Sequence, residues 1–290
     1  MKILSFSALS LLLTLPAGTP ATAAGADDPA TTAAVGAPAT AVDPATTAAV
    51  GAPATAVDPA TTAAVGAPAT AVDPATTAAL VARYNFDGGA TEGRVADLSG
   101  RGAPLTVRNA ANGQITFTTE GTGRYAAFPA ACAAPTTCGK ALLEAPDDAD
   151  LDPGTRNFTW AASVRLTAAQ LSGNANIMQK GVAGIGSQWK MQVTGKSGRA
   201  QCVVAARGSA QTFAAISARP VADGAWHRVV CQRTGTTLGI SVDGVAGSKT
   251  TLPTTATIDN TMPMRVGGPN LAGDGDMYHG QLDDLYAQLG

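Results

Sequence analysis

The residues able to do acid–base, nucleophilic or metal chemistry are few in this chain, and most stand alone. His227 and His279 are the only histidines, and neither has a His or Cys at zinc spacing. His227, in a strand-like run beside Trp226, reads as structural. Ser187 follows Gly184-Ile185-Gly186, but a Gly-x-Ser-x-Gly elbow is absent and no strand-to-helix turn surrounds it. The glycine-rich stretch 181–186 lacks the lysine of a phosphate loop and reads as a rim loop. Glu92, Glu120 and Glu144 are isolated from one another, whereas glycosidic cleavage needs two carboxyl groups acting together. No short stretch therefore spells out a catalytic apparatus.

Two groups of carboxylates could instead hold a cation. Asp148, Asp150 and Asp152 imitate the first ligands of a calcium loop, but Pro153 stands where that loop needs Gly and Thr159 where it needs a bidentate Glu. The run reads as a solvated turn. Asp283 lies in the last strand, 277–289, where a two-residue period points it the same way as Leu285 and Ala287. Burying a carboxylate there is costly unless a cation or several donors meet it. Sugar sites combine an aromatic platform with amide and carboxylate partners, and the rim loops supply Asn174, Gln188, Trp189, Asn270, Asp274, Asp276 and Tyr278. Trp189 sits in an alternating strand and fits a core position equally well.

The elements that must position these residues occupy only the later part of the 290 residues. Residues 1–24 carry one basic residue, Lys2, then an apolar run too short to span a bilayer, then small residues, which is the pattern of a secretory signal peptide. Residues 25–79 repeat a fifteen-residue Ala/Pro/Thr-rich unit, with Asp-Pro-Ala-Thr-Thr-Ala-Ala beginning at Asp28, Asp43, Asp58 and Asp73. Each unit offers only Val and Ala as apolar surface and two prolines break any helix, so the segment is expected to be a disordered linker. Residues 80–290 are long enough for one sizeable core. Short alternating runs at 80–87, 105–107, 115–118, 158–166, 176–181, 188–193, 200–205, 226–233, 238–242, 264–266 and the final strand, separated by Gly-rich turns, predict an all-β fold: a two-sheet antiparallel jelly-roll β-sandwich. The one stretch with any helical period is 167–172.

The formal charge is −2, or −3 once Lys2 leaves with the leader, which gives no footprint for nucleic acid or anionic lipid. No other segment is apolar enough to insert in a membrane. Four cysteines, an even number in an exported chain, suggest two disulfides. Cys132 and Cys138 would close a small loop, and Cys202 and Cys231, both within strands, are paired on the expectation that neighbouring strands bring them within reach.

The order of Tyr84-Asn85-Phe86-Asp87, Asp97-Leu98-Ser99-Gly100, the strand 158–166, Lys180-Gly181, Trp226-His227-Arg228-Val229, Val242-Asp243-Gly244, Val266-Gly267-Gly268 and Gly280-Gln281-Leu282-Asp283-Asp284-Leu285 resembles the laminin G-like domains of the concanavalin A-like lectin and glucanase superfamily. The cysteine pattern is similar to that of secreted actinobacterial members. The resemblance implies a sandwich with a curved sheet that binds carbohydrate or protein. It also implies a structural calcium ion held by Asp283, with Asp87 and Gly100 as the neighbouring candidates. The paired Glu-x-Asp-x-Glu of the superfamily's glycosidases is absent. The expectation is a secreted or cell-surface, non-catalytic module that binds glycan or glycoconjugate. Extracellular protein adhesion or a structural envelope role is the alternative, and a glycan-active enzyme of unrecognised type comes third.

Overall fold

A computed structural model describes residues 78–132, 138–209, 211–273 and 275–290. The leader, nearly all of the repeat and Asp274 lie outside the described residues. Sixteen strands form the domain: β1 (Ala79–Tyr84), β2 (Arg94–Val95), β3 (Leu105–Ala110), β4 (Thr116–Glu120), β5 (Gly123–Ala127), β6 (Lys140–Ala145), β7 (Phe158–Arg165), β8 (Ala175–Gly181), β9 (Gln188–Val193), β10 (Arg199–Ala205), β11 (Thr212–Pro220), β12 (His227–Thr234), β13 (Thr237–Val242), β14 (Val245–Thr251), β15 (Met264–Val266) and β16 (Gln281–Leu289). They make two eight-stranded antiparallel sheets. Sheet A runs β14-β13-β12-β7-β16-β5-β4 with β1 also on β16, and sheet B runs β11-β10-β9-β8-β15-β6-β3-β2.

The alternation of each central strand fills the space between the sheets. Phe158, Trp160, Ala162 and Val164 of β7 point inward from sheet A, and Trp189, Met191 and Val193 of β9 from sheet B, all fully buried. The rings interlock, with the Trp160 and Trp189 centroids 5.8 Å apart and Phe158 stacked on Trp160 at 5.5 Å. Ring pairs of this kind contribute about 0.5–1.5 kcal/mol beyond their buried area. The Cys202–Cys231 bridge spans 5.6 Å between Cα atoms and joins β10 to β12. Those strands belong to opposite sheets, so the disulfide clamps the sandwich face to face rather than linking neighbours in one sheet. Cys132 and Cys138 are bridged as expected, with Cα atoms 5.9 Å apart.

Several strands were not legible beforehand. β6, β11 and β14 lack a clean apolar alternation, and the tertiary ladders of β3, β10 and β13 hold them instead. The helical period at 167–172 becomes a single 3-10 turn, Ala168–Gln170, closed by reciprocal capping between Thr167 and Gln170.

The last strand corrects the reading of Asp283. A bulge falls between Asp283 and Tyr286, with Asp284 at φ 48°. The extra residue reverses the face parity, so that Leu282 and Leu285 both enter the core. Asp283 lies opposite Ser163, on the outer face of sheet A, and does not share the apolar face of Leu285. Backbone pairing of β1 along residues 285–289 ties the C-terminal strand to the start of the domain.

Candidate functional site

If Trp189, Met191 and Val193 face the core, then Gln188, Lys190 and Gln192 face outward from sheet B. All three are nonetheless nearly buried. Cross-strand registers extend this outer row. Lys190 stands opposite Gln179 and Val203, Gln179 opposite Arg265, and Arg265 opposite Glu144. A second row runs from Gln201 through Gln192 to Asn176. A bulge between Asn176 and Met178 turns both Asn176 and Gln179 outward.

The outer row is a hydrogen-bonded network. Asn176 Nδ2 donates to Gln179 Oε1 at 2.7 Å, Gln192 Nε2 to Gln201 Oε1 at 2.6 Å, and Gln179 Nε2 to the Gly181 carbonyl at 3.0 Å. Three of its cations meet carboxylates. Lys190 Nζ lies 2.9 Å from Asp276 Oδ2, and Glu144 takes Arg265 at 2.9 Å and Arg108 at 3.2 Å. Two acceptors are left over. Asn176 Oδ1 and Gln192 Oε1 are buried without a hydrogen-bond partner among the described residues, and they belong to directly paired positions of β8 and β9. A buried acceptor left unpaired costs about 1–3 kcal/mol, so two side by side are not neutral features of a fold.

The residues expected to bind a sugar are distributed differently. Trp189 is fully buried, its indole donating to the Leu151 carbonyl at 2.9 Å, so it is core and not a platform. Tyr278 is likewise fully buried, packed edge-on against Phe128 and bonded to the Gln281 carbonyl at 3.0 Å. Gln188 lies on the outer row, and Asp276 reaches it through Lys190. Asn174 accepts from the Gly195 amide at the end of the sheet, and Asn270 caps its own loop at the amides of Ala272 and Gly273. Asn176, Gln179, Lys190, Gln192 and Gln201 went unrecognised in sequence. The period-two polar set 188, 190, 192 was the available signal, and the bulge hid its partners on β8.

Asp283 and Asp87 do come together. On its β5/β1 side, β16 pairs with β5 only at residues 281–282 and with β1 only at 285–289, which leaves a gap at 283–284. Burial pushes the Asp283 carboxyl up to about 6, with the charges of Asp284 and Asp87 acting in the same direction against the Asp284 amide and Arg228. A carboxylate raised by burial and by like charges suits a hard cation. The remaining geometry supplies less. Asp283 Oδ1 already accepts from the Asp284 amide at 2.7 Å, and Asp87 Oδ1 from the Arg124 amide at 2.9 Å. Gly100 belongs to a separate turn, its amide donating to Asp97 Oδ2 at 3.1 Å. No group of three or more His, Cys, Asp or Glu side chains converges as metal ligands among the described residues. Asp87 Oδ2 also accepts from the Asn85 side-chain amide, so both oxygens of Asp87 have donors within the protein.

The acidic turn is met by protein cations. Lys180, fully buried, places Nζ 2.8 Å from Asp147 and 2.6 Å from Asp152, while Arg101 takes Asp150 at 2.7 Å. Asp148 caps the short turn by accepting from the Asp150 amide. His227 is a structural clip, its Nδ1 2.7 Å from Asp243 and Nε2 3.0 Å from Asp223. Burial opposes the charged ring, but the bonds to Asp243 and Asp223 outweigh it and raise the imidazole above its ordinary value. Glu120 is on β4 of sheet A and Glu144 on β6 of sheet B, so these two glutamates belong to different sheets. No helix among the described residues is long and apolar enough to cross a membrane.

Solved structures share this architecture at low identity. Domain 4 of AbnA, an extracellular GH43 arabinanase from Geobacillus stearothermophilus in complex with arabinotriose, is 16% identical with a TM-score of 0.56, over 73% of this chain and 93% of that one. The binding domain of botulinum neurotoxin DC in complex with SialylT is 10% identical with a TM-score of 0.53, over 72% of this chain and 47% of that one. The same domain with rat synaptotagmin II gives 10% and 0.52, over 72% and 48%. The chain thus spans about half the length of the neurotoxin binding domains. No curated protein matches it in sequence. The laminin G family, described as the concanavalin A-like lectin/glucanases superfamily, matches residues 137–287, which is just over half of the chain, and the protein belongs to that family.

Proposed function

We propose that the protein is a secreted, non-catalytic module that binds glycan through the outer face of sheet B. The observation that carries this reading is the outward row of amide and charged side chains across β8, β9 and β10, Gln179, Gln188, Lys190, Gln192 and Gln201, the polar partners that sugar recognition calls for. The separation of Glu120 from Glu144 supports a binding role over hydrolysis. Two disulfides suit an oxidising, extracellular setting. The structurally similar domains were solved with arabinotriose, SialylT and synaptotagmin II, so both glycan and protein ligands are represented on this architecture.

Calcium has a structural role in this proposal. Bound at Asp283 and Asp87, it neutralises like charges in the gap beside β16 and fixes the bulge. The direct test is a glycan array and polysaccharide pull-down with the full chain, with and without calcium, including arabino-oligosaccharides. Retention on at least one glycan is expected. Binding to none in either condition contradicts the glycan reading and leaves protein adhesion, and turnover of a polysaccharide contradicts both.

A further inference from the structure

On the reading that the outer face of sheet B binds glycan, the charge along that face names the kind of glycan. The row that runs from Lys190 through Gln179 and Arg265 to Glu144 continues to the edge of the sheet. Thr106 of β3 stands opposite Glu144, and Arg94 of β2 opposite Thr106, so Arg94 ends the row. Strands about 4.8 Å apart place β2 about 19 Å from β8, across β15, β6 and β3. The carboxylates of the face do not match its cations. Asp276 meets Lys190, and Glu144 meets Arg265 and Arg108. Arg94 is exposed and has neither an ion pair nor a side-chain hydrogen bond among the described residues. Arg199, towards the opposite edge, gives its guanidinium only the Ser217 carbonyl at 3.2 Å. Of the acids beside Arg94 in sequence, Glu92 is exposed at the tip of the preceding turn and forms no ion pair with it. Asp97 is filled by the amides of Arg83, Ser99, Gly100 and Gly102.

Arg94 also borders a cavity of about 320 Å³ between β2 and the loop after β1, inside the range of about 300–1,000 Å³ usual for ligand sites. Its walls include Phe86, Pro104 and Leu98, the last 51% exposed, so apolar surface stands open beside the free guanidinium. Thr91 and Gly88 line the same cavity and add a hydroxyl and main-chain polar groups. Apolar walls suit the ring carbons of a sugar, and the planar fork of an arginine suits a pair of acidic oxygens. We propose that the edge of sheet B at Arg94 is the subsite for the acidic group of an anionic saccharide, a uronate carboxylate or a sulfate ester. The sugar ring that bears this group packs on Leu98 and Pro104, and further units follow the outer row towards β8 and β9. Because Arg94 is exposed, the contact weakens with salt.

The test screens the full chain against matched neutral, uronate-bearing and sulfated glycans, then titrates the best acidic ligand and its neutral counterpart by calorimetry at about 50 and 500 mM salt, a range over which exposed charge interactions are largely screened out. An acidic ligand is expected to bind about tenfold or more tightly than its neutral counterpart at the lower salt, and to lose most of that advantage at the higher. The uronate and sulfate arms identify which acid the subsite takes. Arg94→Gln should abolish the advantage and leave the affinity for the neutral counterpart unchanged. Arg94→Lys, which keeps the charge without the fork, should recover part of it. Lys249→Gln, on exposed β14 at the far edge of sheet A, is the control that leaves every affinity unchanged. Equal affinity for the acidic and neutral ligands, or an acidic preference that survives Arg94→Gln, overturns this subsite and leaves a glycan-binding face. Binding to no glycan of any class overturns the underlying function.

Discussion

The outer faces of the two sheets carry similar residues and have been resolved in opposite ways. On sheet A, the Arg165 guanidinium lies over Tyr125 at 4.9 Å and over Trp226 at 4.6 Å. It also pairs with Glu120 at 2.9 Å and donates to Gln281, while the Trp226 indole donates to the other Glu120 oxygen at 3.0 Å. Those bonds, the indole of Trp226 first and Arg165 second, hold the Glu120 carboxyl below its usual range. The aromatic rings and amides that sugar recognition calls for are present there, yet the polar groups have found partners within the protein. On sheet B the rings point into the core, and the amides outside are left two hydrogen bonds short. Sheet A is thus the face whose polar groups are satisfied, and sheet B the incomplete one.

The largest test of this contrast is Arg165→Met. It removes two cation–ring contacts and an ion pair, so unfolding free energy falls by about 1–2 kcal/mol, measured by urea denaturation, while glycan affinity stays the same. Loss of binding at unchanged stability would move the site to sheet A. The reverse pattern is expected from Gln192→Met combined with Gln201→Met. Removing both partners together eliminates an unpaired acceptor, so stability holds or rises by up to about 1 kcal/mol while ligand affinity collapses. A clear loss of stability would mean that these amides are structural.

The carboxylate gap on sheet A gives a further distinction, since like charges gather there. With the Asp283 carboxyl raised to about 6 in the folded state against about 3.9 unfolded, the native state binds more protons between those values. Without calcium, stability therefore increases as pH falls from 7 towards 4 through this group, and Asp283→Asn flattens that part of the profile. Added calcium should raise the thermal midpoint of the native protein and leave Asp283→Asn unmoved. An identical midpoint with calcium and with chelator excludes the ion. The smallest effect belongs to His227. Its raised value means that the clip to Asp223 and Asp243 contributes fully below about pH 6.5 and is lost as pH rises through the folded value. His227→Gln should cost about 0.5 kcal/mol at pH 6 and nothing at pH 9.

Much of the fold was legible because side-chain period and burial coincide in β7, β9 and β10, whose inward-facing apolar residues share one core. Two bulges broke that legibility where it mattered. The extra residue at Asp284 put Asp283 on the outer face, and the one between Asn176 and Met178 turned Asn176 outward among polar neighbours. Sequence alternation has no means of counting a residue that the ladder skips. Trp189 misled in the opposite way. An aromatic beside glutamine and lysine resembles a sugar platform, but its neighbours at the same parity, Met191 and Val193, identify the core face. The acidic turn 147–152 was read as solvated, and the sequence held no local sign that Lys180, from a distant strand, would neutralise two of its members.

The central claim is that the ligand seats on sheet B, and side-chain amide resonances report it directly. Titration of the isotopically labelled full chain with its tightest-binding glycan is predicted to shift the amide signals of Asn176, Gln179, Gln192 and Gln201. Gln281 and Gln288 on β16 should not move. Shifts confined to Gln281 and the Trp226 indole, with the sheet B amides unchanged, would contradict the account.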